Sequence, residues 1–291
     1  MKKNGFYRFS LIYLGILTAI TLFPLVLLAA GSFTDESVLI RDGYTLLPAK
    51  FSLEAYAYIF RKFSLVGRAY LVTVATTVIG TVLSLVLSAS LAYPMSRSGF
   101  KYRNTLSFFV YFTMLFNGGI VPSYILWTNY INIKNTYAAL VVPHLLMSAF
   151  NVLLIRNYYR NSIPEALYEA AQMDGATEFV IFSRITLPMS VPVLSTVGLF
   201  CALSYWNSWT NAMYYVTDPK YYGIQNLLMR IMKNIEYLKS AIESGEEVVM
   251  TLPGQSIRMA LALIGILPVM ILYPFVQKYF INGIIVGAVK G

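Results

Sequence analysis

Residues 169–188 read Glu-Ala-Ala-Gln-Met-Asp-Gly-Ala-Thr-Glu-Phe-Val-Ile-Phe-Ser-Arg-Ile-Thr-Leu-Pro, a polar segment set between long apolar runs. Just upstream, Ser162 and Glu165 have capping-box spacing, and Pro164 falls in a first turn, where no backbone donor is needed. The pattern predicts a helix through the strong helix formers Ala166, Leu167, Ala170 and Ala171. Gly175 is placed to stop it in the left-handed conformation, which costs other residues about 1 kcal/mol or more. Thr177 then caps a second short helix with Phe179 and Phe182 as apolar anchors, and Pro188 opens the next apolar run. Residues 161–188 are therefore expected to form a compact helix-turn-helix. Glu165 and Glu169 stand four apart and repel by about 0.2–0.5 kcal/mol in an isolated helix, although Glu165 gains from the helix N-terminus. An external basic partner would relieve that pair.

Outward from this loop the chain is apolar. Of its 291 residues, 57% are hydrophobic and 12% charged, against roughly 45–50% and 25% in soluble domains. Six stretches are long enough to cross a hydrocarbon core of about 30 Å: approximately 11–31, 70–95, 105–127, 138–155, 189–205 and 259–276. The expected fold is an all-α membrane protein with six transmembrane helices, forming one membrane domain over residues 1–291. An even number of spans puts both termini on one side, and Lys2, Lys3 and Arg8 mark that side as cytoplasmic. Eleven Lys/Arg fall inside and eleven outside in this topology. The orientation accordingly leans on short loops such as Arg97, Lys101 and Arg103, since long outer segments translocate with weak regard to charge.

The net charge of +9 reflects basic membrane flanks and gives no sign of nucleic-acid binding, because no basic patch interleaved with aromatics lies in a soluble region. The N-terminal apolar run exceeds the length of a signal-peptide core and is not followed by a small-x-small cleavage site, so it reads as the first span. Cys201 is the one cysteine, which rules out an intrachain disulfide. The outer segments, 32–69 and 206–258 with a brief turn at 128–137, are long. Leu53, Tyr56, Phe60 and Phe63 recur at helical spacing in the first and are expected to form a packing face. Lys239, Glu243, Glu246 and Glu247 make a charged cluster in the second, read as a solvated surface or a docking contact.

Glu169-Ala170-Ala171, Gly175, then Ile185, Leu187 and Pro188 resemble the EAA loop of ABC importer permeases, and Asp174 fits its sugar-importer version. The likeness extends to Phe116-Asn117-Gly118-Gly119-Ile120-Val121-Pro122-Ser123-Tyr124, to Ser204-Tyr205-Trp206-Asn207-Ser208-Trp209, to Tyr273-Pro274-Phe275 through Phe280 and to the closing Gly287-Ala288-Val289-Lys290-Gly291. These segments are similar to the MalG type of carbohydrate permease, nearest its LplC/YtcP branch. The resemblance implies a type I ABC importer permease fold with a cytoplasmic coupling helix. Glu169, Ala170, Ala171, Asp174 and Gly175 would form the joint with an ATPase. The implied partners are a second homologous permease, a cytoplasmic ATPase dimer and an extracellular or periplasmic solute-binding protein in a bacterial cytoplasmic membrane. The chain itself would bind no cofactor, ATP and Mg being used by the ATPase.

Around the outer end of the fifth span, Tyr205 and Trp209 are four apart, as are Asn207 and Asn211, with Trp206 between, if the helix continues that far. Rings suit the apolar face of a sugar and amides suit its hydroxyls; the same residues equally fit an interfacial aromatic belt. Asn117 and Asn151 are further candidates for the substrate path, or for bonds between helices. His144, the sole histidine, is either a functional group within a span or a neutral side chain bonded to a neighbouring helix. No second His, Asp, Glu or Cys stands near it at ligand spacing, so no metal site is expected. No Gly-Lys dipeptide occurs, which excludes a standard phosphate-binding loop, and no nucleophile elbow or His-Glu-x-x-His is present. Energy must then come from another subunit or from an ion gradient. The predicted spans contain no carboxylate of the kind proton-coupled carriers need, although sodium sites made of backbone carbonyls escape that test. An ATP-driven importer of carbohydrate, with an oligosaccharide or polysaccharide-derived glycan as cargo, is the leading reading. An ion-coupled carrier or an ABC permease for a non-sugar solute is the alternative.

Overall fold

The computed structural model describes residues 3–243 and 254–288, which are helical with one isolated antiparallel bridge between Thr34 and Phe51. In chain order the helices begin with α1 (Lys3–Ser32), α2 (Glu36–Asp42), α3 (Glu54–Arg61), α4 (Phe63–Ser96) and α5 (Arg103–Leu115). Then come α6 (Ile120–Ile125, extended by a π turn Leu126–Tyr130), α7 (Ala138–Val141), α8 (Ala149–Ser162), α9 (Glu165–Met173) and α10 (Glu178–Ile181, extended by a π turn Phe182–Thr186). The last are α11 (Leu187–Met189), α12 (Val191–Trp206), α13 (Thr210–Tyr215), α14 (Ile224–Glu243) and α15 (Gln255–Ala288).

Two stretches, Tyr7–Ser32 of α1 and the whole of α4, are single helices long and apolar enough to cross a membrane. In lipid this form is required, because only a helix satisfies every backbone N–H and C=O within its own segment. The other predicted spans are interrupted, and each interruption has a local cause. The third, 105–127, turns by 112° between α5 and α6. Gly119 sits there at φ +84°, and Asn117 Oδ1 accepts the Gly119 N–H at 2.8 Å, an Asx-type turn that closes α5. The fourth, 138–155, is not one helix. Val142 is still helical, but Pro143 has no N–H to carry the ladder on, Leu145 N–H bonds back to the Pro143 carbonyl at 2.8 Å, His144 adopts φ +61°, and α8 starts only after Ser148. The fifth bends by 79° between Met189 and Val191, so that 189–205 is reached by α12 after a corner. The sixth, 259–276, lies inside α15. Counting each bent pair as one, the described residues contain up to four stretches able to cross a membrane by length and composition.

Two units emerge from the packing, Met1–Arg68 with Leu227–Pro268, and Ala69–Asn226 with Val269–Gly291. In the first, Glu36 holds the start of α15: its carboxylate accepts Gln255 N–H at 2.6 Å, Ser256 N–H at 2.9 Å and the Ser256 hydroxyl at 2.7 Å. The first N–H groups of a helix lack partners within it and carry its positive end, so a carboxylate there serves both needs. Glu36→Ala is expected to lower the stability of the purified chain by about 1.5–3 kcal/mol, the range for bonds to a charged group; an unchanged melting temperature would refute this. Nearby, the Lys50 ammonium at 2.8 Å and the Ser37 hydroxyl bring the Asp35 carboxyl down to a pKa of about 2, so that α2 keeps an ionised cap. The packing face of α3 is rotated from the predicted one. Ala55 and Ile59 are buried and Tyr56 stacks on Phe33 at 4.9 Å, while Leu53, Phe60 and Phe63 are exposed. Of the charged cluster, Lys239 and Glu243 close α14, whereas Glu246 and Glu247 lie outside the described residues, as do Val289, Lys290 and Gly291 of the tail.

The second unit carries the principal core, in which Ala92, Val152, Ile155, Ile181 and Val197 are fully buried. Gly80 of α4 lets the Tyr205 ring lie directly on the helix backbone, where any side chain would collide with it.

Candidate functional site

The helix-turn-helix is present at residues 165–189, and its geometry explains why its small residues stand where they do. Gly175 has φ +77°. The Ala176 N–H bonds to the Ala171 carbonyl at 2.9 Å and the Gly175 N–H to the Gln172 carbonyl at 3.0 Å. This pair of bonds is a Schellman closure, which also calls for an apolar contact between the residues flanking the turn. Ala171 and Ala176 occupy those positions, and both pack on the core of the second unit. The N-terminal expectation fails. Ser162 belongs to the last turn of α8 and Ile163 is extended, so no capping box forms and Pro164 precedes α9 without a side-chain cap. Glu165 instead accepts a short hydrogen bond from the Ser98 hydroxyl, in the turn between α4 and α5. Thr177 likewise precedes α10 without a side-chain bond.

The underside of the loop is held by residues that the sequence did not single out. Tyr168 is 4% exposed, with the Arg97 guanidinium 3.9 Å above its ring. Burial raises its phenol pKa, so this contact is cation on ring face and not an ion pair. Glu178 ties three pieces together: it accepts the Tyr93 hydroxyl of α4 at 2.5 Å and the Gln172 amide of α9 at 3.0 Å, with Arg97 Nε at 4.0 Å. Ile181 is fully buried. The only hint in the sequence was Tyr168 itself, the one ring on a helix of small and charged residues. The upper side is open. Glu169, Ala170, Asp174 and Gly175 are exposed together, and beside them Met173 is 88% and Phe179 76% exposed. Large apolar side chains left in water on a polar loop mark an interaction surface.

The predicted substrate-path residues do not form one face. α12 ends at Trp206 and α13 begins at Thr210, so Tyr205 with Trp209, and Asn207 with Asn211, are on different elements. Tyr205 and Trp206 are buried, and the Tyr205 hydroxyl donates to the Val141 carbonyl at 3.0 Å. Asn211 is buried too, donating to the Pro143 carbonyl at 2.7 Å. Asn207 is exposed but bonds back to its own helix at Leu203, and Trp209 is half-buried. Asn117 serves the turn at Gly119 described above. Tyr205 and Asn211 therefore act on the broken fourth span: they hold carbonyls 141 and 143 and so set the loop that carries His144.

Asn151 opens on a groove of about 520 Å³, lined by His144, Ser148, Phe150, Asn151, Phe200 and Ser204 among others. The Asn151 amide also donates to Cys201 Sγ at 3.3 Å. His144 is exposed in it and, among the described residues, its ring makes no hydrogen bond. Apolar walls with a few convergent polar groups are the usual composition of a ligand site. A non-glycine residue in the left-handed region stores strain of about 1–3 kcal/mol, a cost that clusters at functional sites.

The comparison with known proteins settles the kinship. The family of binding-protein-dependent transport system inner membrane components matches residues 84–286, a span that includes both the loop and the groove. The chain belongs to this family. It is 36% identical, over its whole length and the whole of the relative, to the polygalacturonan/rhamnogalacturonan transport system permease protein YtcP of Bacillus subtilis (strain 168). Protein LplC of the same organism is 34% identical over 97% of this chain and 94% of its own. Among solved structures, a bacterial ABC transporter involved in the import of the acidic polysaccharide alginate superposes with a TM-score of 0.80 at 28% identity, covering 94% of this chain and 96% of the other. The resemblance to MalG-type permeases is thus borne out. The protein is a membrane-embedded ABC permease subunit.

Proposed function

We propose that this permease forms half of a carbohydrate translocation path, the other half being a second, related permease, and that residues 165–189 are its coupling helix. The observation that carries the reading is the two-sided loop. Its underside is fastened to α4 by Tyr168 and Glu178, while Glu169, Asp174, Gly175, Met173 and Phe179 are left free for a partner. An ATPase that grips the free side moves α4 through the fastened one. In this reading the loop and both termini are cytoplasmic, the spans number six with the interrupted ones counted, and an outer solute-binding protein delivers the cargo. The cargo is an oligosaccharide or polysaccharide-derived glycan, in keeping with the relatives' names.

The test is reconstitution of the chain with its companion permease, ATPase and binding protein in vesicles, followed by a glycan screen beginning with oligogalacturonides and alginate oligosaccharides. ATP hydrolysis stimulated by at least one saccharide is expected. Uptake driven by an ion gradient without ATP, or stimulation by non-sugar solutes alone, would overturn the proposal.

The groove at His144 is the substrate contact of this subunit. Glycine adopts φ +61° without strain, so His144→Gly removes the ring and the backbone cost together and leaves the fold intact. The half-saturating saccharide concentration for uptake is expected to rise about two- to tenfold, the equivalent of one ordinary hydrogen bond. An unchanged value would place the path elsewhere.

A further inference from the structure

A second cavity, about 130 Å³, lies between the turn joining α4 to α5, the end of α8 and the start of α9. Three arginines from three elements line it: Arg97 just past α4, Arg103 at the start of α5 and Arg160 in the last turn of α8. One carboxylate, Glu165, shares the lining and is engaged by Ser98. Arg97 has Glu178 at 4.0 Å, but among the described residues Arg103 and Arg160 have no carboxylate within salt-bridge distance. Like charges drawn together in a partly enclosed space repel unless an anion sits between them.

We infer that this cavity is a binding site for a phosphate group, the chemistry shared by an anionic lipid headgroup and free inorganic phosphate. Two of the arginines are already oriented. Arg97 Cζ stands 3.9 Å over the Tyr168 ring, and Arg103 donates one N–H to the Ser98 carbonyl at 3.2 Å. Guanidinium forks match phosphate oxygens two at a time, and a group held in place beforehand loses little freedom on binding. The volume suits a five-atom anion with some water, each water needing about 30 Å³. The turn that supplies Ser98 and Arg103 to the lining also exposes Phe100 and Tyr102 beside Lys101, a composition found at membrane interfaces. Basic pockets between membrane helices are known sites for anionic headgroups. The inference needs only a membrane-embedded chain and stands apart from the identity of the cargo.

The test uses the full chain in detergent, its melting temperature followed against added phosphatidylglycerol, phosphatidylcholine, or inorganic phosphate at constant ionic strength. Phosphatidylglycerol is expected to stabilise, with the half-saturating concentration rising about fivefold for each of Arg103→Gln and Arg160→Gln and falling for Glu165→Gln. Arg184→Gln, an exposed arginine outside the cavity, should leave the response unchanged. Protection by inorganic phosphate to the same limit would name free phosphate as the ligand; protection by phosphatidylglycerol alone would name lipid. If neither protects more than phosphatidylcholine, or if the arginine variants respond as the unaltered chain does, the site is refuted. Arg103→Lys and Arg160→Lys, which keep the charge and lose the fork, cover the case in which a glutamine variant fails to fold.

Discussion

Glu169→Lys and Gly175→Asp are expected to leave the permease inserted and folded while saccharide uptake falls by at least about tenfold, the scale of a misplaced charge at an interface, and ATP hydrolysis no longer answers to saccharide. The structure separates folding from docking at both positions. A Cβ added at Gly175 would meet nothing within 4 Å, so the chain bears only the left-handed backbone cost of about 1–2 kcal/mol, which Asp tolerates better than most residues. Gly175→Ala carries a similar backbone cost without the charge and serves as its control. Glu169 is exposed, and reversing it converts a repulsive pair with Glu165 into an attractive one worth about 0.2–0.5 kcal/mol. A loop made slightly more stable that nonetheless uncouples transport can fail only at its partner. Normal uptake by both variants would end the coupling reading.

Tyr168→Ala acts from the other side of the same loop. It removes a buried ring, for which large aromatic truncations cost about 3–5 kcal/mol, together with the Arg97 contact. The result should be an α9 that exchanges amide hydrogens and is cut by protease far faster, with uptake lost although the spans remain inserted. Tyr168→Phe keeps the ring, its burial and its cation, and gives up only a 3.5 Å contact between hydroxyls with Thr186. It should behave as the unaltered protein. Full coupling in Tyr168→Ala would mean that the fastening to α4 carries no force.

The loop was the most legible part of the sequence because its determinants are local: Gly175 stops a helix whatever surrounds it. Ser162 misled for the opposite reason, its spacing being right while α8 runs on through it. The hydropathy of 105–127 and 138–155 is continuous, yet Gly118-Gly119 and Pro143 break the backbone there; apolar side chains report where a segment lies and not whether it is one helix. Asn207 and Asn211 share a face only if the helix runs on past Trp206, where it ends. The fastening of Glu178 to Tyr93 joins residues far apart in the chain and could not be seen from either neighbourhood.

The two sides of α9 and α10 consist of separate sets of residues. Backbone bonds within 170–176 set the curvature of the loop, and Tyr168, Glu178 and Ile181 attach it, whereas Leu167, Met173 and Phe179 take no part in either task. Partner choice can therefore drift independently of cargo. If an ATPase docks on the free side, substitutions there change which motor the chain answers to and leave its attachment to α4 as it is.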